Sequence, residues 1–399
     1  MIRRFLKSLE DPQYPLLAPN LWMLKKIGMI LPEDKTAKIC YLILHEIVTF
    51  FVITQYIELY VIRSDMDLVL TNLKISMLSI VCIVKSNTCV VWQKNWVEVI
   101  NYITTTDKEE RDDINPQRSS VLKSYTKYCR KITYFYWVLV FITFITVVTT
   151  PFIKHLSETY IENIDPSELS HNFEHIFSSW VPFNKNEYPG SWITIAWHVF
   201  VCAYGAGTMA AFDVSAMVMM VFFGGKIDLL RLRCQGIFGN MEKGLSDEET
   251  SEMFLRLHRA HVLLLRYSRM FNSMLSPVMF LYVVMCSLML CASAFQLTSA
   301  RSATQKLLMA EYLVFGTVQL FMYCWHSNDV LYKSERVTLG PYESDWWKTS
   351  AKQQRSLLLL TGQLNKTIFF TAGPFTYLTL PTFITILKGA YSYYTLLRK

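Results

Sequence analysis

Residues 374–399 read PFTYLTLPTFITILKGAYSYYTLLRK, and this stretch is the most informative part of the sequence. Apolar side chains dominate it, but polar ones recur at steps of three or four residues: Thr382, Thr385, Lys388, Ser392, Thr395 and Lys399. This spacing predicts a helix with all six polar residues on one face. Because hydrocarbon offers no hydrogen bonds, such a polar seam needs protein or water beside it. We therefore predict a pore-lining or bundle-facing helix.

The composition of the whole chain is that of a polytopic membrane protein. Of its 399 residues, 52% are hydrophobic and 14% are aromatic, while only 18% are charged. A membrane-spanning helix needs about 20 mostly apolar residues. The stretches that meet this need are 38–62, 67–93, 132–151, 192–223, 273–297, 307–326 and 374–397. We therefore predict an all-α membrane domain with seven transmembrane helices, surrounded by membrane lipid and without a nucleic-acid partner.

The distribution of basic residues sets the orientation of these spans. Of the 39 Lys and Arg residues, 30 lie in the N-terminus and in the second, fourth and sixth connections. The positive-inside rule makes those segments cytoplasmic. We therefore predict a cytoplasmic N-terminus and an extracellular C-terminus, which is opposite to a G-protein-coupled receptor, the alternative that seven spans suggest. All nine cysteines fall in spans or predicted cytoplasmic segments, so we expect no disulfide in the outer loop.

The predicted segments follow from these spans. They are a cytoplasmic N-terminus (1–37), spans one to four (38–223), a cytoplasmic helical connection (224–272), spans five and six (273–326), a cytoplasmic anchor region (327–373) and the pore-lining helix (374–399). In the connection, Lys226 to Cys234 continue span four, and Ser246 to Glu249 begin a helix that runs into span five. The leucines at 357–360 are too few to cross a membrane. They predict an anchor helix where subunits meet.

Apolar and aromatic residues in several spans make up a candidate ligand site. They are Met77, Ile80, Phe141, Phe144, Val148, His198, Val201, Tyr204, Tyr312 and Phe315. Each residue alone is more typical of helix packing than of ligand contact. Together they predict an apolar cavity with few polar groups, which suits a small lipophilic molecule. Binding there would depend on shape and on buried apolar surface, at roughly 25 cal/mol per Å².

Two ionisable residues lie deep in predicted spans and carry opposite charges. Asp213 lies in span four and Lys388 in span seven. Since an unpaired charge is costly inside a membrane, we hypothesise that these two residues pair, or that each binds another buried partner. Elsewhere the sequence contains no P-loop, G-x-S-x-G or C-x-x-C motif, and the H-x-x-E-H match at 171–175 falls in a loop. We therefore expect no enzymatic activity, no cofactor and no metal.

The C-terminal third of the sequence resembles the insect odorant receptors. The resemblance lies in residues 370–375, 382–383 and 386–398, in Ser334 with residues 342–346, and in His261 before the run 267–275. It implies a ligand-gated, non-selective cation channel of four subunits, each of which contributes its last helix to a central pore. Because residues 224–272 are shorter than the matching connection of the co-receptor Orco, the chain is similar to the tuning subunit that assembles with Orco.

The same resemblance implies roles for particular residues. Leu396 would be the hydrophobic gate, with Lys388, Ser392 and Thr395 on the pore wall. The pocket for a small volatile ligand would lie between spans two, three, four and six, in the plasma membrane of olfactory sensory neurons. A positive charge at Lys388 is awkward on the wall of a cation pore. A gustatory receptor of the same superfamily is the alternative to an odorant receptor.

Overall fold

The computed structural model describes residues 8–64, 66–112, 115–161, 176–177, 179–181, 189–238, 247–299 and 303–397. In this part of the chain the helices are α1 (Ala18–Ile27), α2 (Lys35–Val61), α3 (Met66–Val91), α4 (Gln93–Arg111), α5 (Pro116–Ile161), α6 (Gly190–Gln235), α7 (Asp247–Ser299), α8 (Ala303–Arg336), α9 (Leu339–Tyr342), α10 (Ala351–Leu364) and α11 (Leu380–Leu397). A 3-10 turn spans Trp346–Lys348, and the strands are β1 (Thr371–Ala372) and β2 (Thr376–Tyr377). The prediction of an all-α fold is confirmed apart from this small hairpin.

Five of the described helices, α2, α5, α6, α7 and α8, are long and apolar enough to cross a membrane. They coincide with the predicted spans one, three, four, five and six. The predicted second span corresponds to α3, which meets α4 at Trp92 with a bend of 79°, and this pair counts as a further candidate. Helix α11, with its polar seam, is not among these candidates. The chain is therefore a multi-pass membrane protein.

Helix α6 forms the centre of the bundle. Every residue from 208 to 227 is buried, and α1, α3, α5, α7 and α8 all pack against this helix. Because this segment is buried on every side, its charged residues Asp213 and Lys226 pair with residues on neighbouring helices. The sequence 208–225 is suited to this central position, because small residues alternate with large apolar ones and let neighbouring helices approach closely.

The central helix and its neighbour α7 are much longer than a membrane crossing requires. Helix α6 contains 46 residues and α7 contains 53. The residues 226–234 continue α6, and the described part of α7 begins at Asp247 and extends without a break into the fifth span. Helix α10 packs against α7, and its N-terminus is capped by Ser350, whose Oγ accepts from the Gln353 amide at 3.4 Å.

The β1–β2 hairpin sets where α11 begins. Its two strands pair in antiparallel fashion, with Thr371 opposite Tyr377, and Gly373 turns the chain with φ 65°. The Thr371 amide donates to Asn272 Oδ1 at 2.9 Å and the Gly373 amide donates to the Ser276 carbonyl at 3.0 Å, both on α7. The hairpin therefore fixes the start of α11 against α7.

Candidate functional site

A small apolar cavity lies between α2, α3, α5, α6 and α8. Its volume is about 90 Å³. Its apolar wall consists of Val48, Val52, Ile75, Leu78, Ile83, Val140, Phe144, Val147, Phe177, Val201, Met209, Tyr312 and Phe315. A larger groove of about 1110 Å³ runs beside α4, but it is open and lined by charged residues that include Lys94 and Glu98. The apolar cavity within the bundle is therefore the better candidate for a lipophilic ligand.

Several polar side chains of this cavity already donate their hydrogens within the protein. The hydroxyl of Ser79 donates to the Ile75 carbonyl at 3.0 Å, and that of Thr143 donates to the Leu139 carbonyl at 3.1 Å. The thiol of Cys82 lies 3.7 Å from the Gly205 carbonyl. A ligand in the cavity would thus meet apolar surface and a few hydroxyl oxygens that can still accept a hydrogen bond.

The orientation of Tyr204 in the cavity wall is set by His45 on α2. The His45 Nε2–H donates to the Gly28 carbonyl at 3.0 Å, which leaves Nδ1 to accept from the Tyr204 hydroxyl. The His45 side chain is only 2% exposed. Because His45 on α2 binds both the Gly28 carbonyl and the Tyr204 hydroxyl, it links the C-terminus of α1 to helix α6 beside the cavity.

The structure brings together half of the candidate ligand residues. Phe144, Val201, Tyr204, Tyr312 and Phe315 line the cavity. The other five, Met77, Ile80, Phe141, Val148 and His198, are not among the lining residues.

The residues outside the lining have identifiable surroundings. The Phe141 side chain is 62% exposed, because it lies on the outward face of α5. His198 is buried and forms a hydrogen bond of 3.1 Å with Ser179. Val148 packs against a neighbouring apolar cluster that contains Val48 and Phe51, and Met77 is buried. Phe141 thus faces away from the cavity, whereas His198, Val148 and Met77 pack within the protein.

Several lining residues were not predicted. Val48 and Val52 on α2 are valines one turn apart, and nothing in their sequence distinguishes them from the lipid-facing residues of the same helix. Phe177 comes from the connection between α5 and α6, where the sequence shows no periodicity. The thiols of Cys82 and Cys202 also belong to the lining. The prediction was confined to spans two, three, four and six, and so it omitted the α2 valines and the loop residue Phe177.

Asp213 does not pair with Lys388 but with Lys85 on α3. The Lys85 Nζ lies 2.6 Å from Asp213 Oδ1, and both side chains are 0% exposed. The hydroxyls of Tyr136 on α5 and Tyr323 on α8 each donate to the carboxylate at 2.6 Å, and Gln319 on α8 donates a further hydrogen bond. We refer to these five residues as the Asp213 cluster. The second alternative of the hypothesis, another buried partner for Asp213, is the correct one.

The Asp213 cluster lies one helical turn away from the cavity on every helix that contributes to it. The pairs of lining residue and cluster residue are Cys82 and Lys85, Val140 and Tyr136, Met209 and Asp213, and Phe315 and Gln319. Met209 also touches the cluster directly, because its Sδ lies 3.1 Å from Lys85 Nζ and 3.8 Å from Gln319 Nε2. The cluster is therefore a polar layer beneath one end of the cavity.

Helix α11 presents its polar seam on an exposed surface. The side chains of Lys388, Ser392 and Thr395 are exposed, whereas Ala390 on the opposite side is buried. Leu396 belongs to α11, but its side chain lies outside the described part of the structure, as do Arg398, Lys399 and the H-x-x-E-H match at 171–175. Ring contacts between Phe383 and Phe321, with centroids 5.5 Å apart, join α11 to α8.

The sequence and the fold both have relatives. The profile of the family described as "7tm Odorant receptor" matches residues 65–391. Odorant receptor 10 of Aedes albopictus is 28% identical over 36% of this chain and 39% of its own length. Odorant receptor Or2 of Anopheles gambiae is 27% identical over 35% of this chain and 37% of its own length. These matched segments span less than half of either relative.

The fold is similar to that of a solved receptor over nearly the whole chain. The insect olfactory receptor OR5 from Machilis hrabei, determined in complex with eugenol, superimposes with a TM-score of 0.79. The superposition covers 97% of this chain and 99% of the receptor chain, at 15% sequence identity.

Proposed function

This chain belongs to the 7tm odorant receptor family of insects, and from that premise we propose that it is the odorant-binding tuning subunit of a ligand-gated, non-selective cation channel. It assembles with the Orco co-receptor in a heterotetramer and opens when a small volatile lipophilic molecule binds. The channel acts in the plasma membrane of olfactory sensory neurons. Odorant receptors are sensory receptors and not an enzyme family, which agrees with the expected lack of enzymatic activity.

The observation that carries this proposal is the apolar cavity within the bundle. Its wall is mostly hydrocarbon and aromatic ring, and the hydroxyls of Ser79, Thr143 and Tyr204 already donate their hydrogens to protein carbonyls and to His45. A ligand therefore gains affinity by burying apolar surface, at about 25 cal/mol per Å². The Machilis receptor of the same fold was solved with eugenol, a small aromatic molecule, which supports the same class of ligand here.

The size of the cavity supports a mechanism in which binding and opening are coupled. Its volume of about 90 Å³ is below the roughly 300–1,000 Å³ of ordinary ligand pockets. An odorant therefore binds better to a state in which the surrounding helices have moved apart. A ligand that prefers the wider state shifts the population toward it, and this difference in affinity is the free energy available for opening the pore.

The terminal helix supports the assignment of the pore. Lys388, Ser392 and Thr395 lie exposed along α11. A seam of this kind requires water or another subunit beside it. In the proposed heterotetramer the last helices of four subunits enclose a water-filled path, and Leu396 forms a hydrophobic constriction that wets when the helices separate.

The proposal is tested by recording currents from cells that express this chain together with Orco. A panel of esters, terpenoids, alcohols and aromatic volatiles is applied to these cells and to cells that express Orco alone. We expect at least one class to evoke a cation current only when both chains are present. Absence of any current across the panel, with both chains shown to be at the cell surface, would contradict the proposal.

A further inference from the structure

The Asp213 carboxylate joins four helices that together surround the cavity. It lies on α6 and accepts from Lys85 on α3, Tyr136 on α5, and Gln319 and Tyr323 on α8. Lys85, Asp213, Tyr136 and Tyr323 are 0% exposed and Gln319 is 1% exposed. In such a dry setting each charge and each donor depends on its partners, because water cannot replace them. The four helices are therefore held at fixed separations in this layer.

The cavity beside this layer is held together differently. Its walls touch through apolar side chains, which can slide and repack at little cost compared with breaking a buried ion pair. Met209 forms the boundary, since it lines the cavity and its Sδ lies 3.1 Å from Lys85 Nζ. A ligand that widens the cavity can therefore displace its apolar walls more easily than the helices at the end held by the Asp213 cluster.

Helix α8 runs from the cavity through the Asp213 cluster to the terminal helix. Phe315 lines the cavity, and Gln319 follows four residues later in the Asp213 cluster. Beyond them, the Phe321 ring packs on Phe383 of α11, and the Asn328 Oδ1 accepts from the Leu380 amide at 3.5 Å. A tilt of α8 about the cluster would therefore move the start of α11.

We propose that the Asp213 cluster is the fulcrum through which ligand binding is converted into movement of α11. Its residues are positioning residues, since they hold four helices together at one end of the cavity and make no direct ligand contact. Widening of the cavity then tilts α8 about this point instead of separating the helices uniformly. This inference rests on the proposed function, because it presumes that ligand binding in the cavity opens the pore.

The test is a double substitution, Lys85→Met with Asp213→Asn, which removes both charges at once. Either single substitution would leave a buried charge unpaired and destabilise the fold, whereas replacing both members of a buried pair by neutral side chains is often tolerated. The matched control is Lys226→Met with Glu110→Gln. This second buried pair joins α4 and α6, with Nζ and Oε1 2.8 Å apart and 6% exposure on each side, and neither residue lines the cavity. Glu110 also pairs with Arg233 at 2.9 Å, but the Arg233 side chain is 29% exposed, so water can solvate its charge in the control variant.

Both variants are expressed with Orco, and maximal current is divided by the number of receptors at the surface. We expect the Lys85/Asp213 variant to lose maximal ligand-evoked current by about ten-fold, within the range typical of coupling between sites, while the half-maximal ligand concentration changes by less than about three-fold. The Lys226/Glu110 variant should retain both values. Unchanged maximal current in the first variant, or an equal loss in the control, would overturn the inference.

A second readout does not depend on channel activity. Cys82 lines the cavity one turn from Lys85, so its rate of modification by a small methanethiosulfonate reagent in isolated membranes reports how firmly this end of the cavity is closed. Subtraction of the labelling of a Cys82→Ser background isolates this thiol. We expect faster labelling in the Lys85/Asp213 variant than in the control, and equal rates would contradict the fulcrum. A wild-type chain without any ligand-evoked current would instead contradict the proposed function.

Discussion

Two buried polar side chains each connect three or more helices of this receptor. His45 joins the end of α1 to α6 through the Gly28 carbonyl and the Tyr204 hydroxyl, and Asp213 joins α6 to α3, α5 and α8. Neither is exposed by more than 2%. In each case the polar atoms that membrane lipid could not satisfy are satisfied by neighbouring helices, so these contacts select one arrangement of the bundle over others.

Substitution of Gly28 by Ala should destabilise the bundle at the point where His45 is held. Gly28 has φ 79°, and an added Cβ would lie 2.2 Å from the Tyr41 ring. The left-handed backbone alone costs an L-residue roughly 1–2 kcal/mol. We expect a lower Tm for the detergent-solubilised variant. Gly362→Ala on α10, where nothing lies within 4 Å of the added Cβ, should leave Tm unchanged or slightly raised. Equal Tm values for the two variants would contradict this account.

At the scale of elements, the helices could be predicted from the sequence because long apolar runs leave few alternatives in a membrane. The 79° bend at Trp92 could not, since no proline or glycine precedes it in residues 82–92. The partner of Asp213 was also beyond prediction. Lys85 is 128 residues away in sequence, and periodicity shows which face of a helix is polar but not which helix lies opposite. The sequence predicted an apolar cavity. It did not predict that α2 and Phe177 would line this cavity, because those contacts depend on tertiary packing.

The hairpin that precedes α11 gives a test at this scale. Asn272→Ala would remove the acceptor of the Thr371 amide, and a half-buried donor without a partner costs about 1–3 kcal/mol. We expect a lower Tm and a weaker ligand-evoked current per surface receptor, because α11 is then held less firmly against α7. Ser273→Ala is the matched control, since Ser273 is exposed and donates only to the Met270 carbonyl of its own helix. If Ser273→Ala lowered Tm and the ligand-evoked current as much as Asn272→Ala, this role of the hairpin would be contradicted.

At the scale of the whole molecule, the predicted membrane orientation would distinguish this architecture from a G-protein-coupled receptor. The excess of Lys and Arg predicts that the N-terminus lies in the cytoplasm and the C-terminus outside. An epitope attached after Lys399 should be reached by antibody on intact cells, and one attached before Met1 only after permeabilisation. The reverse result would contradict the assignment of α11 as a pore helix that ends at the outer surface.

In the proposed channel the gate would be a property of the assembly, because several terminal helices would have to meet to close it. Leu396→Ser would replace an apolar side chain at the proposed constriction by a small polar one, and a less apolar constriction wets more readily. We expect a larger ligand-free current in cells that also express Orco, measured against the wild-type chain at equal surface density. If the ligand-free and ligand-evoked currents were both unchanged, Leu396 would not form the gate.

If a ligand in the apolar cavity opens the channel, two phenylalanines one turn apart on α5 should respond differently to truncation. Phe144 lines the cavity, whereas Phe141 is 62% exposed and does not line it. For a ligand that opens the wild-type channel, Phe144→Ala should raise the half-maximal concentration by about ten-fold or more, since burial against a phenylalanine ring contributes roughly 1.5–3 kcal/mol. Phe141→Ala should change it by less than about three-fold, because loss of an exposed side chain costs little. Equal responses of the two variants would contradict the account.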